Sequence, residues 1–342
     1  MKYFWLWIKR FWDGEAGLLG ALVGVLTLPI ELIYRVFIGI RNRGYDSGFI
    51  ATKDPSIPVV SVGNLAIGGT GKTPFSGWLV SSLNEAGFCP ALITRGYGSD
   101  EVWLHRLWNP EVLVVVDPHR FRGVNLAIER NADVAVLDDA FQHRAVGRQL
   151  DIVLVAAEHG TRNTLLPRGR LRETFRSLAR ADAIVVTRKT ATRGDAEKIV
   201  RWLSGFTSCV FAQVVFEPSG WVNLDGSLVS PPYGDDLLAV TSIAGPEIFR
   251  DMVTINTSSK VESFAFRDHY IFKESDIGAI LKKSNGRPII ITEKDAVKLK
   301  KFSYMLPDTY VLRLCMAWES GRDDLVGIIR DRLKCATPSG LS

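Results

Sequence analysis

A glycine-rich turn ending in Gly71-Lys72-Thr73 is the feature of this 342-residue chain with the clearest chemistry. The turn follows an apolar, β-branched run that begins at residue 57, as expected of a buried strand. Backbone N–H groups of such a turn can converge on phosphate oxygens, while the lysine adds a positive charge and the threonine hydroxyl binds Mg²⁺. The pattern predicts a phosphate-binding loop (P-loop), and hence nucleotide binding, through Gly68, Gly69, Thr70, Gly71, Lys72 and Thr73.

The spacing departs from the most common P-loop pattern at one position. That pattern, G-x-x-x-x-G-K-[ST], has glycine five residues before Gly71, where this chain has Ala66. The neighbouring Gly63, Gly68 and Gly69 are compatible with a variant loop. The alternative is a glycine-rich turn that binds nothing. The strand before the turn and the Gly-Lys-Thr at its end both disfavour that alternative.

Two pairs of acidic residues follow predicted strands and are candidate ligands or catalysts. Asp138 and Asp139 close the apolar run 134–137, and carboxylates at this place beside a P-loop hold Mg²⁺ directly or through water. Their alternative role is a helix cap or a turn. Asp100 and Glu101 come soon after another strand, and the same reasoning could place them near the γ-phosphate. The predicted metal ligands are Thr73, Asp138, Asp139 and Glu101.

Two further groups of residues could act on phosphate or on a hydroxyl proton. Asp268 precedes His269, and a carboxylate can fix the tautomer of a histidine and raise its basicity, although such a pair is commonly a surface turn. A dense basic run could bind phosphate through its guanidinium groups, or form a solvated helix face. Pro167 and Gly169 favour a loop, and so a ligand role, for part of this run. Its arginines are Arg162, Arg168, Arg170, Arg172, Arg176 and Arg180.

The segments around these residues predict a parallel α/β sheet. Short apolar strands alternate with helices along residues 57–204, which indicates a doubly wound, mostly parallel sheet of the P-loop NTPase type, with functional groups at the carboxyl ends of the strands. The α/β pattern resumes after a Pro- and Gly-rich connection, residues 218–234, that is typical of a hairpin. We predict a P-loop domain over residues 46–209 and a second, smaller α/β lobe over residues 210–342 that closes over the active site.

Residues 1–45 differ in composition from the rest of the chain and predict a membrane-associated helical segment. Tryptophans and basic residues are mixed in residues 1–12, and two apolar stretches follow at 16–30 and 32–40. This pattern suits a helix lying in a membrane surface, and the two stretches together are also long enough to span a bilayer. A buried core helix is the third interpretation. A signal peptide fits poorly because no small-residue cleavage site is evident.

Composition narrows the class of protein. Hydrophobic residues make up 46% and charged residues 23% of the chain, as in a folded protein and unlike a disordered one. The four cysteines are far apart with no C-x-x-C pair, which disfavours a zinc site or a disulfide framework and favours a reducing compartment. The net charge of +5 argues only weakly for an anionic partner. No nucleic-acid recognition module accompanies the basic run, so we predict no nucleic-acid partner.

Six segments, taken together and in order, resemble the tetraacyldisaccharide 4′-kinase family. They extend over most of the chain and are SVGNLAIGGTGKTP (61–74), RGYG (95–98), LDDAFQHR (137–144), LLPRGRLRE (165–173), FRDHY (266–270) and TEKDAVKL (292–299). The resemblance implies an enzyme that uses ATP and Mg²⁺ to phosphorylate the 4′-hydroxyl of a tetraacyldisaccharide 1-phosphate, an anionic glycolipid precursor of lipid A. It also implies a place at the cytoplasmic face of the bacterial inner membrane. No obligate protein partner is predicted.

The resemblance further implies roles for individual residues. Asp100, supported by His269, would accept the proton of the 4′-hydroxyl as this group attacks the γ-phosphate. Arg172 would hold phosphate, either on ATP or on the substrate. Lys72 and Thr73 match the P-loop pair of the family. The implied catalytic residues are Asp100, His269, Asp268, Lys72 and Arg172.

Two other functions remain open from the sequence. The chain could be a membrane-peripheral switch ATPase that acts through a protein partner, although the signature lysine of the deviant P-loop class is replaced here by Ile67. It could also be a structural membrane anchor with an inactive P-loop domain. ATP-dependent dimerisation would favour the switch, and failure to bind ATP would favour the anchor.

Overall fold

The structure is a computed structural model that describes residues 2–96, 99–232, 234, 236–306 and 308–336. Tyr97 and Gly98, which belong to one of the six segments quoted above, lie outside the described residues. Within the described part of the chain the α-helices are α1 (Lys2–Asp13), α2 (Gly17–Asp46), α3 (Lys72–Glu85), α4 (Ser99–Trp108), α5 (Arg120–Ile128), α6 (Arg193–Leu203), α7 (Pro246–Thr257), α8 (Glu274–Ser284), α9 (Glu293–Leu299) and α10 (Arg322–Ala336).

The strands alternate with these helices along most of the chain. They are β1 (Val59–Asn64), β2 (Pro90–Thr94), β3 (Leu113–Val116), β4 (Val134–Asp138), β5 (Leu150–Ala156), β6 (Ala183–Arg188), β7 (Val210–Asn223), β8 (Leu228–Val229), β9 (Asp236–Thr241), β10 (Lys260–Ala265), β11 (Ile289–Thr292) and β12 (Thr309–Ser320). Short 3₁₀ segments cover Ala157–His159, Phe175–Arg180 and Lys300–Met305.

The chain forms two compact units. The first unit contains the described residues within 1–96, 108–214 and 318–342, and the second unit contains those within 97–107 and 215–317. Two of the four boundaries fall inside the long strands β7 and β12, each of which contributes residues to both units, and the other two flank residues 97–107.

The two units divide the chain differently from the predicted domains. Residues 97–107, which lie within the predicted first domain, belong to the second unit, where the described ones are helical and bury Val102 and Leu104. The C-terminal helix α10 belongs to the first unit, although it lies within the predicted second lobe. Leu325 and Leu333 of α10 are fully buried at a spacing of two helical turns, so the helix packs one apolar stripe against this unit.

The sheet of the first unit places the P-loop strand at its centre. Its strand order is β6-β5-β1-β4-β2-β3, and each neighbouring pair is parallel. All residues of β1, β2, β4 and β5 are buried, which explains why these strands are continuous apolar runs without alternation. Because the strands are parallel, the residues that follow β1 and β4 emerge at the same edge of the sheet.

The sheet of the second unit has the order β10-β9-β11-β12-β7. Neighbouring strands from β10 to β12 are parallel, and β8 pairs antiparallel with β7 through Trp221 and Val229. This last pair is the hairpin predicted in the connection 218–234. The core of the unit packs β9 and β11 against α8 and contains Leu238, Ile277 and Ile291.

Two helices form the N-terminal segment. The 30-residue helix α2 includes Pro29 without interruption and is long and apolar enough, by length and composition, to cross a membrane. Most of its large apolar side chains are exposed, whereas Gly20 and Glu31 are buried. Its inward side contacts the first unit, since the Tyr34 hydroxyl donates to the Arg172 carbonyl at 3.0 Å. The exposed apolar residues of α2 are Leu18, Leu19, Leu22, Val25, Leu26, Leu28, Ile30, Leu32, Ile33, Val36, Phe37 and Ile40.

Candidate active site

The loop between β1 and α3 has the conformation expected of a P-loop. Helix α3 begins at Lys72, directly after Gly71, whose φ of 84° lies in the left-handed region that favours glycine. The N-terminus of α3, which is the positive end of the helix dipole, therefore borders the loop. Glycine is also required at position 63, because a Cβ there would lie 2.6 Å from the backbone nitrogen of Phe141. The strand that leads into the loop is thus in close contact with the segment after β4.

Hydrogen bonds from neighbouring strands fix the P-loop backbone. The Asn64 side chain donates to the Thr70 hydroxyl at 2.7 Å, and the Thr187 hydroxyl donates to the Thr70 carbonyl at 3.0 Å. Lys189, just after β6, donates from Nζ to the Gly69 carbonyl at 2.6 Å. The sequence analysis missed Thr187 and Lys189, and their position at the carboxyl end of a buried strand was the available signal.

Asp139 is the centre of a charged cluster next to the P-loop. Its carboxylate lies 3.6 Å from Lys72 Nζ, and both of its oxygens accept from Arg172 Nη1 at 2.9 Å. Burial raises the pKa of Asp139, but the positive charges of Lys72 and Arg172 lower it by more, so the net pKa lies below its usual value. The structure therefore brings together three residues that the sequence selected from separate motifs.

Asp138 ends β4 and is held by two contacts. Its carboxylate accepts from the Ser76 hydroxyl of α3 at 3.2 Å, and its backbone carbonyl accepts from Arg120 at 2.8 Å. Arg120 is only 1% exposed, and burial lowers the pKa of its guanidinium to about 10. These contacts fix the end of β4 beside α3, at the edge of the sheet where the P-loop lies.

The donor set of the first unit fits a magnesium ion bound together with a nucleotide. Thr73, Asp138 and Asp139 supply hydroxyl and carboxylate oxygens, the hard ligands that Mg²⁺ takes, and such ions commonly use one or two carboxylates with phosphate oxygens and water. Among the described residues no group of three or more His, Cys, Asp or Glu side chains could hold a metal alone. This arrangement suits a metal that arrives with phosphate better than a permanently bound one.

Several arginines of the basic run form ion pairs with carboxylates of this chain. Arg168 pairs with Glu31 at 3.1 Å, Arg170 pairs with Asp13, and Arg180 donates to Glu173 at 2.8 Å. Arg176 is exposed. Among the described arginines of the run, Arg172 is the one in contact with Asp139. The run is therefore neither a general phosphate cluster nor a solvated helix face, because much of it holds the N-terminal helices.

A second group of functional residues surrounds Asp100 in the second unit. Asp100 lies in the first turn of α4, a helix that the sequence did not predict. The residue is 1% exposed, and its Oδ1 accepts from His269 Nδ1 at 3.1 Å. Its Oδ2 lies 3.3 Å from Lys298 Nζ and 3.8 Å from Lys294 Nζ. Burial raises the pKa of Asp100, but these three partners lower it to well below its usual range, so the carboxylate is ionised at neutral pH.

His269 is oriented by its backbone and by Asp100. Its φ of 56° is left-handed, and its N–H donates to the Ser242 carbonyl at 3.2 Å. The hydrogen bond with Asp100 raises the pKa of His269, while burial lowers it, and the net pKa lies above its usual value. Asp268 is more exposed, and its carboxylate accepts from the His269 N–H at 3.1 Å. The Asp-His pair of the sequence is thus a turn in which the histidine pairs with a different carboxylate.

Lys294 and Lys298 of α9 complete this group and were not among the predicted site residues. Lys294 Nζ lies 3.1 Å from the Glu101 carboxylate and 3.4 Å from His269 Nε2. The sequence signal was the i,i+4 spacing of two lysines just after a buried strand, within the segment 292–299. Glu101 belongs to the second unit, whereas the other predicted metal ligands belong to the first, and its metal role stays a prediction.

Comparison with known proteins identifies the family. The sequence matches the family described as tetraacyldisaccharide-1-P 4′-kinase (LpxK) over residues 23–109 and 99–334. The chain is 32% identical to the tetraacyldisaccharide 4′-kinase of Chlorobium luteolum over 86% of its own length and 92% of the relative's. The chain belongs to the tetraacyldisaccharide 4′-kinase family. The enzyme of the same description from Chlorobaculum parvum is 35% identical over 79% of this chain and 82% of its own.

A solved structure of a family member supports the assignment of the fold. The crystal structure of LpxK from Aquifex aeolicus, an apo form in complex with ATP, has a TM-score of 0.71 and 28% identity, and it covers 91% of this chain and 99% of that one. The predicted family, the predicted kinase activity and the predicted P-loop α/β fold class with an N-terminal apolar helix are confirmed.

Proposed function

We propose that this chain transfers the γ-phosphate of ATP to the 4′-hydroxyl of a tetraacyldisaccharide 1-phosphate in lipid A biosynthesis. The observation that carries the proposal is the cluster of Lys72, Asp139 and Arg172 beside a P-loop, in a chain of this family. Two cations around one carboxylate suit a nucleotide site, because both can also pair with phosphate oxygens when ATP and Mg²⁺ are present.

In the first unit the proposed roles concern phosphate charge. The P-loop N–H groups and Lys72 bind the β- and γ-phosphates, and Arg172 neutralises charge on the transferred group. Thr73, Asp138 and Asp139 hold Mg²⁺, which when bound offsets the negative charge of the phosphates. Glu101 belongs to the second unit, and its role as a metal ligand stays a separate prediction. Most of the rate enhancement then comes from positioning and charge neutralisation, as is usual for phosphoryl transfer.

In the second unit the proposed roles concern the hydroxyl proton. Asp100 accepts the proton of the 4′-hydroxyl as the oxygen attacks the γ-phosphate. Its depressed pKa keeps it ionised at neutral pH and also weakens it as a base, so its contribution depends on its position at the hydroxyl. His269 donates from Nδ1 to Asp100 and so orients the carboxylate. Asp268 fixes the turn that carries His269.

The apolar surface of α2 is proposed to lie in the surface of the inner membrane, at its cytoplasmic face. Thirty residues of helix extend about 45 Å, yet Glu31, Tyr34 and Asn42, from the middle of the helix onward, contact other parts of the first unit. A spanning orientation would carry the charged partners of these residues into hydrocarbon, which is costly. Four free cysteines suit the reducing cytoplasm, where ATP is available. Flotation with anionic vesicles should be lost when Ile33 and Phe37 are both changed to serine.

The activity is tested by transfer of ³²P from [γ-³²P]ATP and Mg²⁺ to a tetraacyldisaccharide 1-phosphate in detergent micelles. The purified chain alone should label the lipid, since the proposed reaction requires no protein partner. Lys72→Ala should abolish labelling because the phosphate charge is no longer offset. Asp100→Ala should reduce labelling by a factor of about 10² or more, the usual range for loss of a general base.

The outcomes separate the proposed parts. If Asp100→Ala still labels the lipid at the native rate, the chain is a lipid kinase but Asp100 is not its general base. ATP hydrolysis by the native chain that is independent of lipid, with no labelled product, would contradict the proposal and favour a switch ATPase. Failure of the native chain to bind ATP would contradict both.

A further inference from the structure

The lysine Lys298 of α9 contacts two carboxylates that are almost completely buried. Its Nζ lies 3.3 Å from Asp100 Oδ2 and 3.1 Å from Asp295 Oδ1, and it also donates to the Ser242 hydroxyl. The Lys298 side chain is 9% exposed, and those of Asp100 and Asp295 are 2% and 0% exposed. A cation shared by two buried anions is expensive to desolvate, so a stable core alone does not require this arrangement.

Asp295 holds Lys298 in place. Its Oδ1 accepts from the Ser242 N–H at 3.0 Å and from the Ser242 hydroxyl at 2.5 Å. Its Oδ2 accepts from the hydroxyl of Thr292, whose side chain in turn caps the first turn of α9. Asp295 is therefore bound to the end of β9 and to the helix that carries Lys298. The lysine has little freedom to move away from Asp100.

The contacts to Asp100 involve both oxygens of its carboxylate. His269 is hydrogen-bonded to Oδ1, and the Lys298 ammonium group lies 3.3 Å from Oδ2 as an ion pair. The two contacts together restrict the orientation of the carboxylate. We propose that Lys298 is a positioning residue for Asp100, holding the carboxylate in the orientation in which it accepts the substrate proton. This inference rests on the proposed function of Asp100.

Lys294 is less suited to this role than Lys298. Its Nζ is 3.8 Å from Asp100 Oδ2, and it is closer to Glu101 and His269. Its side chain is also more exposed, at 19%. Lys298 is thus the residue whose principal contacts are the proposed base and the carboxylate that anchors the lysine.

A double-mutant cycle tests the proposal in the lipid phosphorylation assay. Lys298→Met removes the charge at nearly constant length and should lower kcat about 10- to 100-fold, with KM for the lipid changed less than about threefold. Lys298→Arg should recover part of kcat. In the Asp100→Asn background, adding Lys298→Met should lower kcat by less than about threefold. The reason is that the carboxylate positioned by Lys298 is no longer present to act as a base. Lys282→Met, at an exposed position on α8, is the control and should keep native kcat.

Each outcome decides the question. Equal losses of kcat from Lys298→Met in the native and Asp100→Asn backgrounds would overturn the proposal, since the lysine would then act independently of Asp100. If Lys298→Met does not fold, as judged by thermal unfolding, Lys298→Arg is compared in the two backgrounds by the same criterion. A native chain that yields no labelled lipid would instead refute the proposed function on which the assignment rests.

Discussion

At the scale of single residues, the site in the first unit is organised by opposite charges that share partners. Arg172 contacts both oxygens of Asp139 through one nitrogen, and its side chain remains 29% exposed. Because the contacts to Asp139 use Nη1, the guanidinium has other N–H groups that can donate to a phosphate. An arginine that neutralises the transferred phosphoryl group can contribute several orders of magnitude to the rate.

We expect Arg172→Ala to lower kcat for lipid phosphorylation about 10²-fold or more, because the transferred group then loses a bound positive charge. Arg176→Ala is the matched control, since it removes an exposed arginine of the same basic run and should leave kcat within about twofold of native. The measurement is steady-state kinetics with both substrates varied. Equal effects of the two substitutions would mean that net charge, and not the position of Arg172, matters.

Asp138 and Asp133 stand at opposite ends of β4 and allow a test of the metal site. Asp138→Asn should raise the Mg²⁺ concentration needed for half-maximal activity about tenfold or more, because a neutral amide is a weaker ligand for a hard cation. Asp133→Asn, one residue before the other end of the strand, should not change it. The measurement is a Mg²⁺ titration at fixed ATP. An unchanged Mg²⁺ requirement in Asp138→Asn would remove this residue from the metal site.

At the scale of elements, the loop that carries Arg172 is held between α2 and the P-loop. Glu31 accepts from the Leu165 N–H at 3.3 Å and from Arg168 at 3.1 Å. At the far end of the loop the Arg172 N–H donates to the Leu65 carbonyl at 2.7 Å. A buried carboxylate in an apolar helix is costly unless it is paired. Glu31 pairs with Arg35 of its own helix at 2.6 Å and with Leu165 and Arg168 of this loop.

We expect Glu31→Gln to loosen the loop over residues 164–172 because Arg168 loses its charged partner. Hydrogen exchange of the Leu165 amide should become about tenfold faster or more, which corresponds to a loss of about 1.4 kcal/mol of local protection. Glu15→Gln, at an exposed carboxylate between α1 and α2, should leave exchange unchanged. Exchange at Leu165 that is identical in the two variants would show that Glu31 does not hold the loop.

The elements that could be predicted from the sequence are those with a clear local pattern of apolar residues and glycines. The strands β1, β4 and β5 are fully buried apolar runs, and the P-loop lies between a strand and a helix, so local pattern and glycine spacing were sufficient. Helix α4 was missed because its ten residues follow a glycine-rich segment and show little apolar periodicity. Lys298 was missed because its proposed role depends on contacts with Asp100 and Ser242. These residues lie 198 and 56 positions earlier in the chain, so no local pattern reveals the contacts.

At the scale of the whole molecule, buried histidines make stability depend on pH. His105 of α4 is 1% exposed, and burial lowers its pKa to about 4. The unfolded chain takes up this proton near pH 6.5, whereas the folded chain resists it until about pH 4. The stability that depends on neutral His105 is therefore fully present above about pH 6.5. It is lost as the pH falls from 6.5 towards 4, because the unfolded state then binds more protons than the folded state.

We expect native stability to fall by about 2 kcal/mol more than that of His105→Gln between pH 7 and pH 5, since glutamine does not titrate. Urea unfolding at the two pH values measures the difference. A native chain and a His105→Gln variant with parallel pH profiles would contradict the assignment of this effect to His105.

The contacts of α2 also bear on how the chain can be shortened for study in solution. A shortened form beginning near residue 47 would be the obvious route to a detergent-free preparation. Such a form would leave Arg168 without Glu31 and the Arg172 carbonyl without the Tyr34 hydroxyl, so the loop next to the phosphate cluster would lose its outer support. A soluble fragment would then bind ATP with a disturbed arginine. Inhibitor screens on it would select ligands for a site that differs from that of the chain with α2 in place.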